Sequence, residues 1–273
     1  MITHNNIGYS GRFGNQLFQF ASTVGIARKN NYEVQFPIKN IYEGKKQRLN
    51  NNQEFVAKLD LTSYFDIDEK FFSNDIIINR SVNEVSFNFN SNLFRVADFT
   101  NIDGYLQSEQ YFSHCSDEIK EILKIQPHFI EEAKKLLPKT DKNLVGIHIR
   151  RCDYISSDNN HPFIGVEYIN RGIEALNDKN NHYIVCSDDY KWCEEQWGDN
   201  KNFTIIKSNS QFIDFTILTM CNDFIISNSS FSWWASYLSK NKEKKVIAPS
   251  NWFSGVLSKN NTKDLYRKDM IIL

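Results

Sequence analysis

Residues 144–248 alternate short apolar runs with helical patterns, and that alternation restricts the chain to a small set of folds. Strands are predicted at 144–149, 183–186, 203–206, 224–226 and 246–248. Helices are predicted between and after them at 166–177, 190–197, 211–221 and 231–239. Strand and helix in strict turn imply a parallel sheet covered on both faces. Such sheets bind ligands beyond the carboxyl ends of their strands, where the chain turns into the next helix. The polar residues at those turns are therefore the functional candidates.

The first half of the chain is less regular. Residues 14–29 carry Leu17, Phe18, Phe20, Ala21, Val24, Gly25 and Ala27 at helical spacing, preceded by Gly8, Gly11 and Gly14, so a glycine loop opens a helix. A strand is predicted at 32–36, with short strand candidates at 75–78 and 84–89. Residues 116–137 are helical in pattern with a break at Pro127, and the polar stretch 138–143 marks a domain boundary. This gives two α/β domains, 1–140 and 141–273.

Lys and Arg number 32 against 33 Asp and Glu, so no global basic field recruits nucleic acid or an anionic membrane. An anionic ligand must be held by a local cluster. The five cysteines form no CxxC pair, which fits reduced thiols in a cytosol. The start lacks an export pattern and no apolar run approaches the roughly 18 residues of a membrane span. A cytoplasmic protein is expected, with a peripheral place at the inner membrane left open. Asp66-Ile67-Asp68 matches the DxD of metal-dependent sugar transferases, but so short a match arises by chance and no metal is expected.

Four turns carry chemistry. In the first, 11–16, glycines admit a substrate to the backbone and Arg12 and Asn15 stand at a helix start; alone it reads as a tight turn with a solvated Arg. It has neither the P-loop Lys nor GxGxxG spacing, which argues against a dinucleotide oxidoreductase. The second, 145–154, places His148 and Arg150 on one strand face and Arg151 on the other, followed by Asp153. A guanidinium forks two phosphate oxygens, so Arg150 suits a pyrophosphate; the competing reading is an Arg150–Asp153 ion pair around a core His. The third holds Asp188 and Asp189, one suited to ribose or a purine edge and the other to capping the next helix. The fourth combines Asp214 with the hydroxyl-rich entry Ser229-Ser230-Phe231 into a helix, an anion nest or an ordinary N-cap. Trp233 and Trp234 read as core.

In order and spacing these elements resemble the bacterial α-1,2-fucosyltransferases of glycosyltransferase family 11. The likeness rests on GRFGNQLFQFA at 11–21, GIHIRRCDY at 146–154, HPFIGVEYI at 161–169, VCSDD at 185–189 and DFIISNSSFSWWASYL at 223–238. It implies a GT-B type fold, two Rossmann-like lobes with a cleft between them, the first lobe serving the acceptor and the second the GDP-sugar. It further implies a GDP-L-fucose donor used as substrate, inversion, no metal or other cofactor, and transfer to O2 of a terminal galactose in an oligosaccharide or lipid-linked glycan. By that pattern His148, Arg150, Arg151 and Asp153 belong to the donor element, with Arg150 at the β-phosphate. Ser229, Ser230 and Phe231 hold the nucleotide, Asp188 and Asp214 meet its ribose or base, and Arg12 and Asn15 come from the loop that reaches the reaction centre. In related α-1,6 enzymes a Glu follows the Asp of the HxRRxD element by five residues, which here lands on Asp158, a candidate base; His148 is the other, its ordinary pKa of about 6.5 suiting proton transfer. Cys152 stands where many members have glycine, and restricts the turn into Asp153. Two alternatives remain at this stage: a related GDP-sugar transferase of other donor or linkage, and a noncatalytic lectin stacking sugars on Trp192, Trp197 and Trp252.

Overall fold

The computed structural model describes residues 1–48, 54–156 and 160–273. The chain divides into two compact units: Met1–Ile125 with Asn260–Arg267, and Gln126–Lys259 with Lys268–Leu273. The division falls before Pro127, not in the polar stretch 138–143 where the sequence suggested a boundary at 140. The helix that follows, Pro127–Leu136 (α2), explains this. It begins with proline at its first turn and packs on the helix Gln211–Thr219, with Phe129 and Phe212 edge to face at 5.6 Å. The polar stretch is thus a connection inside the second unit. Asp264 fastens the returning segment to the first unit, accepting from Phe89 N at 3.1 Å and Gln110 Nε2 at 2.8 Å.

In the first unit, β1 (Ile2–Thr3) leads through the glycine loop into α1 (Phe13–Lys29). A parallel three-stranded sheet has the order β1-β3-β2, where β2 is Arg80–Asn83 and β3 is Thr100–Asp103. Strands expected at 75–78 and 84–89 are therefore displaced to Arg80–Asn83, and the predicted strand 32–36 shrinks to Phe36–Pro37 with a bridge from Val34 to Ile2. Polar composition hid them: β2 is largely exposed, and β3 buries Thr100 and Asn101 beside Ile102. The carboxyl end of β1 is buried too, with Thr3 and His4 fully covered. His4 is held by Gly104 O at 2.9 Å, and burial lowers its pKa. Asp66-Ile67-Asp68 has a structural role, since Asp68 caps the 3₁₀ turn Glu69–Phe71 and pairs with exposed Lys70.

The second unit follows the predicted alternation closely. Its elements are β4 (Asn143–Ile149), α3 (Val166–Leu176), β5 (Asn181–Ser187), α4 (Tyr190–Trp197), β6 (Phe203–Ile205), α5 (Gln211–Thr219), β7 (Asp223–Ile225), α6 (Ser230–Leu238), β8 (Val246–Ala248) and an unpredicted edge strand β9 (Met270–Ile272). All six strands are parallel, in the order β6-β5-β4-β7-β8-β9. Alternation sends Val145, Ile147 and Ile149 into one core with Tyr168, Ile169, Cys193 and Trp197 of α3 and α4. Gly146 faces the other way, close under Leu218 and Cys221 beside α5. Each fully buried Ile or Val contributes about 1.5–3 kcal/mol relative to exposure, which is why these short strands hold without alternating polar residues. The order reverses between β4 and β7. At such a switch point adjacent turns leave the sheet in opposite directions and open a crevice at its carboxyl edge. No helix among the described residues is long and apolar enough to cross a membrane.

A candidate donor site at the switch point of the second sheet

The register aligns the carboxyl ends of three neighbouring strands: Ile149 lies opposite Ser187, and Ile147 opposite Ile225. The residues that follow therefore meet. His148 Nδ1 and Ser227 Oγ are 2.8 Å apart across the switch, and the ring lies 5.0 Å from that of Phe231, which in turn meets Phe215 edge to face. His148 is buried, and burial with the neighbouring Arg150 charge pushes its pKa down to about 3. The imidazole bridges the ends of β4 and β7.

Arg150, on the same face, pairs through Nε with Asp153 at 2.7 Å and with Asp188 at 3.3 Å. Burial works against its charge, but the Asp153 hydrogen bond and the two carboxylates outweigh it and raise the pKa. The ion pair weighed against a phosphate role is thus present, and it engages the Nε edge of the guanidinium. Asp188 also accepts from the backbone N–H groups of Arg151 at 2.8 Å and Cys152 at 3.3 Å. One carboxylate at the end of β5 thereby shapes the turn that leaves β4.

Arg151 goes to the opposite face, as alternation required. Its Nη1 donates to Asp189, and its guanidinium lies over Trp192 at 5.1 Å and Phe163 at 5.7 Å. Asp189 caps α4, accepting from Trp192 N at 3.2 Å, the capping role expected of one of the two acidic residues. This group is separate from His148 and Arg150 and braces α4 against the sheet. Cys152 has ordinary helical backbone at the head of the short helix Cys152–Ser156, so the restriction expected from a non-glycine residue does not arise.

Ser229 is the N-cap of α6, its Oγ accepting from Phe231 N at 3.4 Å; Ser230 is the first helical residue. Asp214 sits in the first turn of α5, accepts from Ser208 Oγ, and has its pKa raised by burial to about 6. In the first unit, Arg12 is exposed at the N-terminus of α1, and Asn15 Oδ1 accepts from Gln107 Nε2 at 2.8 Å. Gly11 has φ +81°, and a Cβ there would strike the Asn15 side chain, which accounts for glycine at this turn. Asp158 lies outside the described residues.

Sequence reasoning missed three residues that build this edge. Ser227 holds His148, Tyr168 OH donates to Ile226 O and Ile247 O, and Asn228 Nδ2 donates to both Pro162 O and Trp252 O at 3.1 Å. A polar run directly after an apolar strand was the available signal for Ser227 and Asn228. Tyr168, inside a helical pattern, gave none. Trp197 and Trp252 are 8% and 3% exposed, so they offer no stacking platform, and Trp192 is taken up by Arg151; the lectin surface is not there. A cavity of about 400 Å³ beside the start of α3, lined by Phe163, Tyr168, Arg171 and Asn251, includes none of the candidate donor residues. No three His, Cys, Asp or Glu side chains cluster as a metal would require among the described residues.

The second unit is a doubly wound sheet with basic and hydroxyl groups at its switch point, the place where such sheets take their ligands. Comparison carries this to a family: the chain matches Glycosyl transferase family 11 over residues 1–273 and belongs to it. It is 27% identical to an alpha-1,2-colitosyltransferase of Escherichia coli, across 89% of this chain and 90% of that one. It is 33% identical to the O-antigen biosynthesis glycosyltransferase WbnK of Escherichia coli, a match spanning 41% of this chain and 40% of the relative. With galactoside alpha-(1,2)-fucosyltransferase 1 of Oryctolagus cuniculus it shares 24% identity across 84% of this chain and 62% of that enzyme. Among solved structures, NodZ alpha-1,6-fucosyltransferase soaked with GDP-fucose shares the fold, with TM-score 0.53 and 14% identity over 93% of this chain and 96% of that one.

Proposed function

We propose that the protein is an inverting, metal-independent glycosyltransferase of the GT-B type that moves L-fucose from GDP-β-L-fucose to O2 of a terminal galactose. The observation that carries this reading is that Arg150 follows β4 and the N-terminus of α6 follows β7, neighbouring strands whose ends are joined by the 2.8 Å contact of His148 Nδ1 and Ser227 Oγ. Transfer breaks the bond from the anomeric carbon to the β-phosphate oxygen, and negative charge grows on the departing GDP. Arg150, fixed on its Nε edge by Asp153 and Asp188, presents its guanidinium to that charge, and the first-turn N–H groups of α6 add their dipole. Asp214 takes the guanine edge, whose N–H groups bond most strongly to an ionised carboxylate. The acceptor is assigned to the first unit, with Arg12 and Asn15 of its glycine loop, and the donor to the second. The acceptor is a galactose-terminated oligosaccharide or lipid-linked surface glycan, and the protein works in the cytoplasm or at the inner membrane surface.

With His148 neutral at a pKa of about 3, the base role falls to Asp158. Replacing Asp158 by Asn is expected to lower turnover while leaving GDP affinity within about twofold. Equal losses in both would give Asp158 a structural role instead. A second reading of the donor is supported by the colitosyl relative: colitose is fucose without its 3-hydroxyl. A donor panel measured as kcat/KM on one galactoside decides. A site that hydrogen-bonds the 3-hydroxyl rejects the sugar lacking it by about 10⁴-fold, whereas preference for the deoxy sugar would transfer the assignment to colitose. Transfer from neither would sink both.

A further inference from the structure

Tyr154 belongs to none of the groups assigned so far, and it joins three segments that the donor site needs together. Its hydroxyl donates to Asn228 O at 3.1 Å, the backbone next to the cap of α6. Its ring stacks on His161 at 5.2 Å with 22° between planes, and His161 meets Phe253 edge to face at 5.5 Å. The Arg150 guanidinium lies 6.0 Å from the centre of the same ring. Asn228 closes the circuit by donating to Pro162 O, next to His161 in the chain. The turn after β4, the turn after β7 and the segment at 161–162 are thus bound in one loop with Tyr154 at its node.

The carboxylates fix Arg150 at Nε, from the β4 and β5 side. They do not tie it to β7. The ring of Tyr154 beside the guanidinium and its hydroxyl on Asn228 O supply that tie. His148 and Ser227 already join the ends of β4 and β7, but that contact does not set the direction of the Arg150 guanidinium, and pyrophosphate recognition depends on where it lies relative to the α6 N-terminus. We infer that Tyr154 is a positioning residue that sets the Arg150 guanidinium relative to the α6 N-terminus, so that one diphosphate engages both. This deepens the donor reading above and rests on it.

The test is a double-substitution cycle on GDP affinity in the full-length protein, using Tyr154→Phe, Arg150→Lys and both, by calorimetry, with thermal melts of each. Phenylalanine keeps the ring and removes only the bond to Asn228. Tyr154→Phe alone is expected to weaken GDP about tenfold, and to change affinity less than about twofold once Arg150 is Lys, because the residue acts through Arg150. Losses that multiply independently, or that follow a fall in melting temperature, would overturn the inference and make Tyr154 a packing residue. Unchanged affinity in Tyr154→Phe would overturn it as well. If the folded wild type binds no GDP, the donor reading fails and takes the inference with it; if wild type binds and the cycle is additive, only the inference fails.

Discussion

The proposed mechanism turns on Arg150, and the surroundings of this residue make its replacement informative. Lysine keeps the charge and can still meet Asp153 and Asp188, but an ammonium cannot fork two phosphate oxygens. Arg150→Lys is expected to fold normally and to lose about a hundredfold to a thousandfold in kcat, the usual effect of removing one preorganised donor from a developing charge. Steady-state transfer to a galactoside checks this, and near wild-type turnover would move the pyrophosphate elsewhere. Asp214 gives a pH test. Its folded pKa is raised to about 6 from an ordinary 3.8, so the carboxyl favours the folded state below pH 3.8 and that contribution is lost as pH rises through 6. In the proposed contact the ionised carboxylate is the stronger acceptor for guanine N–H groups, so GDP affinity is expected to fall as pH drops through 6, by up to about tenfold per pH unit, and Asp214→Asn to remove the dependence. His148 has the opposite sign. Its folded pKa of about 3 means that stability present above 6.5 is lost as pH falls toward 3.

At the scale of the element, α1 shows how tertiary contact reverses a propensity. Gly25 lies inside this 17-residue helix, where alanine would ordinarily stabilise by about 0.5–1 kcal/mol. Here a Cβ would come within 2.1 Å of Tyr111 O, a backbone atom with no room to yield. Gly25→Ala is expected to destabilise by about 1–3 kcal/mol in urea unfolding; a gain would mean the helix can shift away from Tyr111. The existence and bounds of α1 were legible from its apolar spacing, but the reason for Gly25 was not, because Tyr111 comes from 86 positions further along the chain. The same holds for α4. Asp189 reads as a cap in sequence, while the Arg151 guanidinium over Trp192 depends on which strand face Arg151 takes.

Across the whole molecule, legibility tracks how apolar the strands are. The second unit was readable nearly residue by residue, since VGIHI, IVC, FII and VIA are runs that only a buried parallel sheet explains. The first unit was not, because it buries Thr3, His4, Thr100 and Asn101 in and beside its strands, where Asn101 Oδ1 accepts from Asn5 N at 2.8 Å and His4 Nε2 lies 2.9 Å from Gly104 O. Nor could sequence foresee that residues 260–267 return to that unit, since Asp264 resembles any solvated acid until its three partners are seen. The turns at 148–153 and 229–231 were singled out for their residue types, yet the contact of His148 with Ser227 needed the strand order.

The central claim is that the switch point of the second sheet holds a guanosine diphosphate through Arg150 without a metal. Calorimetric titration of the folded protein with GDP in EDTA, for wild type and Arg150→Ala, tests it most directly. The account predicts one site in the wild type and a loss of at least about a hundredfold in the variant at unchanged melting temperature. A wild-type protein that melts cooperatively but binds no GDP, or an Arg150→Ala variant that binds it as well as wild type, would contradict it.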